Sequence, residues 1–263
     1  MRGDREIVLA ALSTFGLALQ FASEDLRRDR DVVIAAVRQD GFAFRYAAEQ
    51  LQRDREFVMA CVRANGRALR DSSDKLRHER EVVLAAVKSE PLALEFAGDE
   101  LRRDKDIVQT AVRLNGQALY FASEECRKDR ELVKAAVGQN GMALGCVPEK
   151  LQKDREIVAK AVERNGAALR FAAEDLRQDR DIVHIAVARD GSALEFVASD
   201  LRRDRNVVLT AVGCVGTALQ FASDDLRRDR DVVLTAVRTD GAALRFVSDE
   251  LCRDPEVLRA RAW

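Results

Sequence analysis

DREIVLAAL, residues 4–12, returns near the far end of the chain as DRDVVLTAV, residues 229–237. Aligning the chain on this stretch exposes a unit of 25 residues that begins at Asp4, Asp29, Asp54, Glu79, Asp104, Asp129, Asp154, Asp179, Asp204 and Asp229. Ten full copies occupy residues 4–253, and a truncated eleventh fills 254–263, with no insertion anywhere. The unit reads approximately D-R-E-V-V-L-A-A-V-R-x-N-G-x-A-L-x-F-A-S-x-E-L-R-R. Self-similarity at a fixed period of this size marks a stacked repeat array.

Numbering places from the aspartate, Asp at place 1 is a good helix N-cap, and the acid at place 3 favours the positive end of the helix dipole. Apolar residues at places 4, 5, 8 and 9 (Ile7, Val8, Ala11 and Leu12 in the first copy) form one helical face. Gly at place 13, as in Gly16 and Gly66, is expected to close that helix in a left-handed C-terminal cap, with Asn or Asp before it. A second, shorter helix is expected over A-L-x-F-A, and Leu at place 23 plugs the turn into the next unit. A leucine-rich repeat is excluded because its L-x-x-L-x-L-x-x-N pattern is missing, and a long coiled coil because a glycine interrupts nearly every unit.

The expected fold is therefore all-α: an α-solenoid, or superhelix, of about ten tandem 25-residue two-helix repeats. No unit can bury its apolar face alone, so each stacks on its neighbours. Place 5 is Val and place 15 is Ala in all ten copies, which points to close helix approach where a larger side chain would overpack. Place 18 carries an aromatic stripe (Phe21, Tyr46, Phe96, Phe121, Phe171, Phe196, Phe221, Phe246), expected to pack in the core. Arg at place 2 and the acids at places 1, 3, 21 and 22 form rows of opposite sign that can interleave as salt-bridge ladders, a mildly stabilising surface.

The combination D-R-E-V-V-L-A-A-V, N-G-x-A-L and F-A-S-x-E-L-R, over residues 4–258, resembles an uncharacterised repeat family catalogued only as a domain of unknown function. The resemblance implies a helical repeat and brings no activity, cofactor or catalytic residue with it. The chain departs from the pattern at Pro91 in place of the glycine, at Asp71 and Cys146 in place of the aromatic, and at Pro148.

Composition narrows the function classes. Aromatics make up 5% of the 263 residues and charged residues 34%, with 44 basic and 45 acidic side chains giving a net charge of −1. That balance argues against nucleic acid as a partner, because non-specific binding needs a basic excess. No apolar run approaches the ~18 residues of a membrane span, and Met-Arg-Gly-Asp leads into a helical pattern with no signal-like segment. Cys61, Cys126, Cys146, Cys214 and Cys252 occupy five different places in the repeat, which argues for an intracellular, reducing compartment and against a disulfide framework or metal site. The first three replace Ala, Leu and Phe and read as core; Cys214 and Cys252 replace polar residues and are expected at the surface.

Catalytic constellations are thin. The two histidines, His78 and His184, fall at different places of distant units. The acids are caps and surface rows, with no spacing that builds a paired-carboxylate site. Glycines are never arranged as a phosphate-binding loop. A non-enzymatic protein without cofactor is expected.

Variation among the copies is more informative. Places 4, 5, 8, 9, 15, 16 and 23 hardly change, whereas 6, 7, 10, 11, 14 and 17 change freely, as a binding surface or neutral drift would make them. Place 10 reads Arg38, Arg63, Lys88, Arg113, with Arg45 and Arg70 at place 17; if these share a face, the first half carries a basic strip. Place 6 is apolar at both ends (Leu9, Ile34, Met59, Leu84; Leu209, Leu234) and reads Gln109, Lys134, Ala159, His184 between. The apolar ends are a candidate association stripe; a half-buried edge of the core gives the same pattern. Asp71 is the one acid in the aromatic stripe and needs help from Ser72, Ser73 or solvent. Neither end carries a polar capping unit, which implies a piece of a longer array or ends that stack on other molecules.

These observations lead to a scaffold that offers a curved surface to a protein partner, or to itself. End-to-end self-assembly is the first alternative. Modular nucleic-acid binding along Arg38–Arg113 is the second and has the charge balance against it.

Overall fold

The structure, a computed structural model, describes residues 3–260. Among them there is no strand, and within each of the two units named below the helical segments of one repeat pack on their counterparts in the next, as in an all-α solenoid of tandem repeats. The chain groups into two compact units, Met1–Leu132 and Val133–Trp263, and the division falls inside the helix Arg130–Gln139. In each unit, long helices pack on long helices and the segments that follow them on their own kind.

The second repeat illustrates the local logic. Asp29 is extended, and its Oδ1 accepts from the backbone N–H groups of Asp31 at 2.9 Å and Val32 at 3.1 Å, satisfying two of the donors that a helix start leaves open. The ten-residue helix Arg30–Gln39 follows and buries Val32, Val33, Ala36 and Val37, the four places expected from the spacing. In the corresponding helix of the first repeat, Arg5–Leu12, only Val8 and Leu12 are buried, and Ile7 is 48% exposed.

The second segment is a 3₁₀ helix, Gly41–Tyr46 in this repeat. Its glycine corrects the expectation of a left-handed cap, because no described glycine has positive φ. Asp40 is extended (φ −146°, ψ 114°) and accepts from the Phe42 N–H at 3.0 Å, so place 12 starts the 3₁₀ turn. Glycine is required by close approach. A Cβ on Gly16 would stand 2.5 Å from the Ala36 carbonyl oxygen and 2.9 Å from the Asp40 nitrogen of the next repeat. Gly66, Gly141, Gly166, Gly191 and Gly216 press on the equivalent Ala carbonyl. Pro91 takes this place once, as the first residue of the 3₁₀ helix Pro91–Phe96, where a missing N–H is tolerated.

A third helical turn follows, five residues long in Glu24–Arg28 and Glu49–Arg53, four in Asp74–Arg77, and 3₁₀ in Leu201–Arg203. It places Leu26, Leu76 and Leu176 in the core. The residue at place 20 donates its N–H to a carbonyl of the preceding repeat: Ala48 to Arg27 at 2.9 Å, Gly98 to Arg77 at 2.8 Å, Ser223 to Arg202 at 3.1 Å. Pro148 at the same place has no N–H to give.

The charge rows do interleave. Arg80 reaches Asp104 at 2.9 Å and Asp106 at 3.1 Å, and Arg155 reaches Asp179 at 2.9 Å and Asp181 at 2.8 Å. Each such aspartate at place 1 both caps its own helix and binds the preceding repeat.

The aromatic stripe differs from its expected place in the core. Tyr46, Phe96, Phe121, Phe171, Phe196, Phe221 and Phe246 are half-buried, and Phe21 is 57% exposed. Three residues per 3₁₀ turn align places 13, 16 and 19 on the inward side. At place 16, Leu19, Leu69 and Leu119 are completely covered, as is Phe44, which holds that place in the second repeat. Place 18 falls at the border of this side.

Candidate surface groove

The long helices leave places 3, 6, 7 and 10 outward, one face by the i, i+3, i+4, i+7 rule. In the unit Met1–Leu132 this face opens between the helices Arg55–Ala64 and Arg80–Ser89 as a shallow groove of about 620 Å³, lined by Met59, Arg63, Leu84, Ala85 and Lys88, with Glu81 and Ser89 at its edges. The groove thus joins the candidate association stripe and the candidate basic strip. Leu9, Ile34, Met59 and Leu84 are half-buried, while Arg38, Arg63, Lys88 and Arg113 are exposed. The side chains of these four cations make no ion pair or hydrogen bond, in contrast to the arginines of place 2. Gln109 continues place 6, half-buried, and Leu114 beside Arg113 is 51% exposed.

Arg45 and Arg70 lie elsewhere. They sit on the 3₁₀ segments, where the Arg45 guanidinium is 6.0 Å from the Tyr46 ring centroid and Arg70 and Arg67 stand 5.2 and 5.6 Å from that of Phe42. The groove contains no residue of place 17, so the basic strip is confined to place 10.

The unit Val133–Trp263 presents a different face. Lys134 is largely covered and pairs with Glu156 at 2.6 Å, His184 is exposed, Leu209 is half-buried and Leu234 is buried. Leu234 therefore belongs to the core edge and not to an accessible stripe. Place 10 here reads Gly138, Glu163, Ala188, Gly213 and Arg238, so no basic row accompanies the apolar residues.

Asp71 is not relieved by its serine neighbours. Ser72 Oγ donates to the Ala68 carbonyl at 3.1 Å, and Asp71 Oδ2 is buried without a hydrogen bond. Burial raises its pKa, partly offset by the charges of Arg45, Arg70 and Arg77. Asp71→Asn is expected to stabilise the protein at pH 7 by about 0.5 kcal/mol, a figure reduced for solvent screening. A raised folded pKa means that the ionisation penalty is absent below the unfolded pKa and develops as pH rises through the folded one. The gain over wild type, followed by urea unfolding, should therefore vanish at pH 3; a gain equal at both pH values would assign it to another cause.

The remaining chemistry is dispersed. Cys61 and Cys126 are buried as expected, whereas Cys146, also expected in the core, is only half-buried; burial pushes the Cys61 thiol up to about 12. Cys214 is exposed, but Cys252 is half-covered, its Sγ 3.5 Å from the Leu244 carbonyl oxygen. Gln52 fills the same place 24 and donates to three carbonyls, including Ala47 at 3.0 Å, so this place closes over the end of the 3₁₀ segment whatever its polarity. His78 Nδ1 lies 2.8 Å from the Asp74 carbonyl. Among the described residues no group of three or more His, Cys, Asp or Glu is placed to hold a metal ion, and no helix is long and apolar enough to cross a membrane.

No curated protein and no solved structure matches the chain. Ten overlapping stretches, the first at 4–52 and the last at 229–259, match one family pattern, and the chain belongs to that family, Domain of unknown function (DUF4116).

Proposed function

We propose that the protein is a non-enzymatic repeat scaffold whose outward long-helix face binds another protein. The observation that carries this reading is the groove at Met59, Arg63, Leu84 and Lys88, built from places that vary between repeats while the buried places beneath stay constant. A fixed frame under a variable face is how a solenoid acquires a binding surface. The five free thiols support a reducing intracellular compartment for it. Affinity capture from the source cells, read by mass spectrometry, should return a stoichiometric protein partner. Replacing Leu9, Ile34, Met59 and Leu84 together by Glu should reduce its recovery at least tenfold, since these side chains are half-buried edges that tolerate a polar head. Unchanged recovery would sink the reading.

A further inference from the structure

We infer that the groove face of the unit Met1–Leu132 takes an acidic, amphipathic segment of a partner protein, an inference that rests on the scaffold reading above. Three rows run across this face. Along one edge are the acids of place 3, of which Asp31, Glu81 and Asp106 are held by Arg5, Arg55 and Arg80 of the preceding repeats. In the middle is the apolar belt of place 6, floored by the small residues Ala35, Ala60 and Ala85. Along the other edge are the four unpaired cations of place 10. Places 3 and 10 are seven residues apart, roughly 10 Å along a helix, so a bound chain contacts both edges of the belt. Arg5, Arg55 and Arg80 are each shared with the acid at place 1 (Asp29, Glu79 and Asp104), and Glu56 has no such partner, so the acidic edge keeps part of its charge. The four cations of the other edge are wholly unengaged, and it is on that edge that the face is open to negative charge.

The belt decides what kind of polyanion fits. A nucleic acid would set phosphates on the basic row but would cover the apolar belt with nothing complementary, and no aromatic side chain on this face is available for base stacking. A peptide with apolar residues interspersed among Asp and Glu meets both rows at once. In the second to fourth repeats, helices packed about 9 Å apart bring one apolar contact and one cation each (Ile34 with Arg38, Met59 with Arg63, Leu84 with Lys88), a spacing that an extended peptide at roughly 3.3 Å per residue matches every third residue. Exposed charges of this kind govern encounter rate and selectivity, so the preference should appear as a charge dependence of binding.

The test is selection of random 16-residue displayed peptides on the 263-residue chain, followed by fluorescence anisotropy of labelled winners. The expected pool is acidic with interspersed apolar residues, and Arg63→Glu combined with Lys88→Glu should weaken its binding at least tenfold. Arg63→Gln with Lys88→Gln, which adds no repulsion, should weaken it several-fold, and unchanged circular dichroism confirms the fold of both. A neutral or basic pool, or affinity within twofold of wild type in the charge-reversed protein, overturns the inference while the scaffold reading stands on whichever face the winners occupy. Failure to select any peptide, with no protein captured from cells, overturns both. A labelled 16-nucleotide single-stranded RNA run in parallel, if it alone binds and alone responds to the charge reversal, replaces the peptide as occupant.

Discussion

Gly166→Ala should destabilise the protein by about 2 kcal/mol, and Gly213→Ala should stabilise it by about 1 kcal/mol. The same methyl group is added in both cases; the surroundings set the sign. Gly166 opens a 3₁₀ segment against the next repeat, where a new Cβ would press on the Ala186 carbonyl and approach the Asp190 Cβ to 2.9 Å. The Ala186 carbonyl is helix backbone and cannot rotate away, so the two repeats must separate slightly and lose contact around Leu169 and Val187, both fully buried. Pro91 shows that the place accommodates a ring in another repeat, so the cost is that of repacking and not loss of the fold. Gly213 lies in the long helix Arg205–Cys214 with nothing within 4 Å of its would-be Cβ, and there Ala only restricts the unfolded chain. Urea midpoints, with amide exchange in the seventh to ninth repeats, give both values. Shifts of the same sign would refute close approach as the reason for glycine at place 13.

That pair of residues also marks what the sequence can reveal. Periodicity was enough to place Val32, Val33, Ala36 and Val37 on one buried face, because apolar spacing in a helix has only one solution. It could not separate a glycine kept for its backbone freedom from one kept for its lack of a side chain, because both leave the same letter. Tyr46 and its counterparts read as core because a large aromatic recurs, yet a 3₁₀ segment turns every three residues and leaves place 18 at the border. Here the missing knowledge was the helix type, which the run A-L-x-F-A does not encode.

The groove was more legible than the strip. Places 6 and 10 are four residues apart, so Met59 and Arg63, or Leu84 and Lys88, share a face by the same rule that built the core. Arg45 and Arg70 could not be placed that way, since a change of helix type at place 13 breaks the angular relation between place 10 and place 17. Arg67 and Arg70 over Phe42, and the edge-to-face contact of Phe42 with Phe96 at 6.3 Å, join second, third and fourth repeats. No pattern within one repeat could announce them.

Acid should unfold the array more sharply than its balanced charge implies. The capping aspartates carry both roles that lower a carboxyl pKa. At Asp29, Asp104 and Asp229 partial burial is the largest single influence and acts upward, but cap N–H groups and the arginine of the preceding repeat outweigh it. At Asp129 and Asp179 the paired Lys105 and Arg155 dominate, and at Asp54 the Phe57 N–H does; all six lie below the usual carboxylate range. A depressed folded pKa contributes stability that is complete above the unfolded value of about 3.9 and is lost as pH falls through the folded one. Each cap is worth on the order of 0.5 kcal/mol after allowance for solvent screening, so protonating six of them should remove about 3 kcal/mol between pH 4 and pH 2. Asp71 works in the opposite direction, but it is one residue against six. Because the caps also bind successive repeats, their loss should loosen the stacking along the array and not just fray helix ends. Thermal unfolding followed by circular dichroism should show a flat midpoint from pH 7 to 5 and a steep fall below pH 4. At 0.5 M salt the fall should persist, because a carboxylate held by backbone N–H groups is insulated from the screening that weakens an exposed ion pair. A fall abolished by salt would give the stability to the surface ladders alone and deny it to the caps.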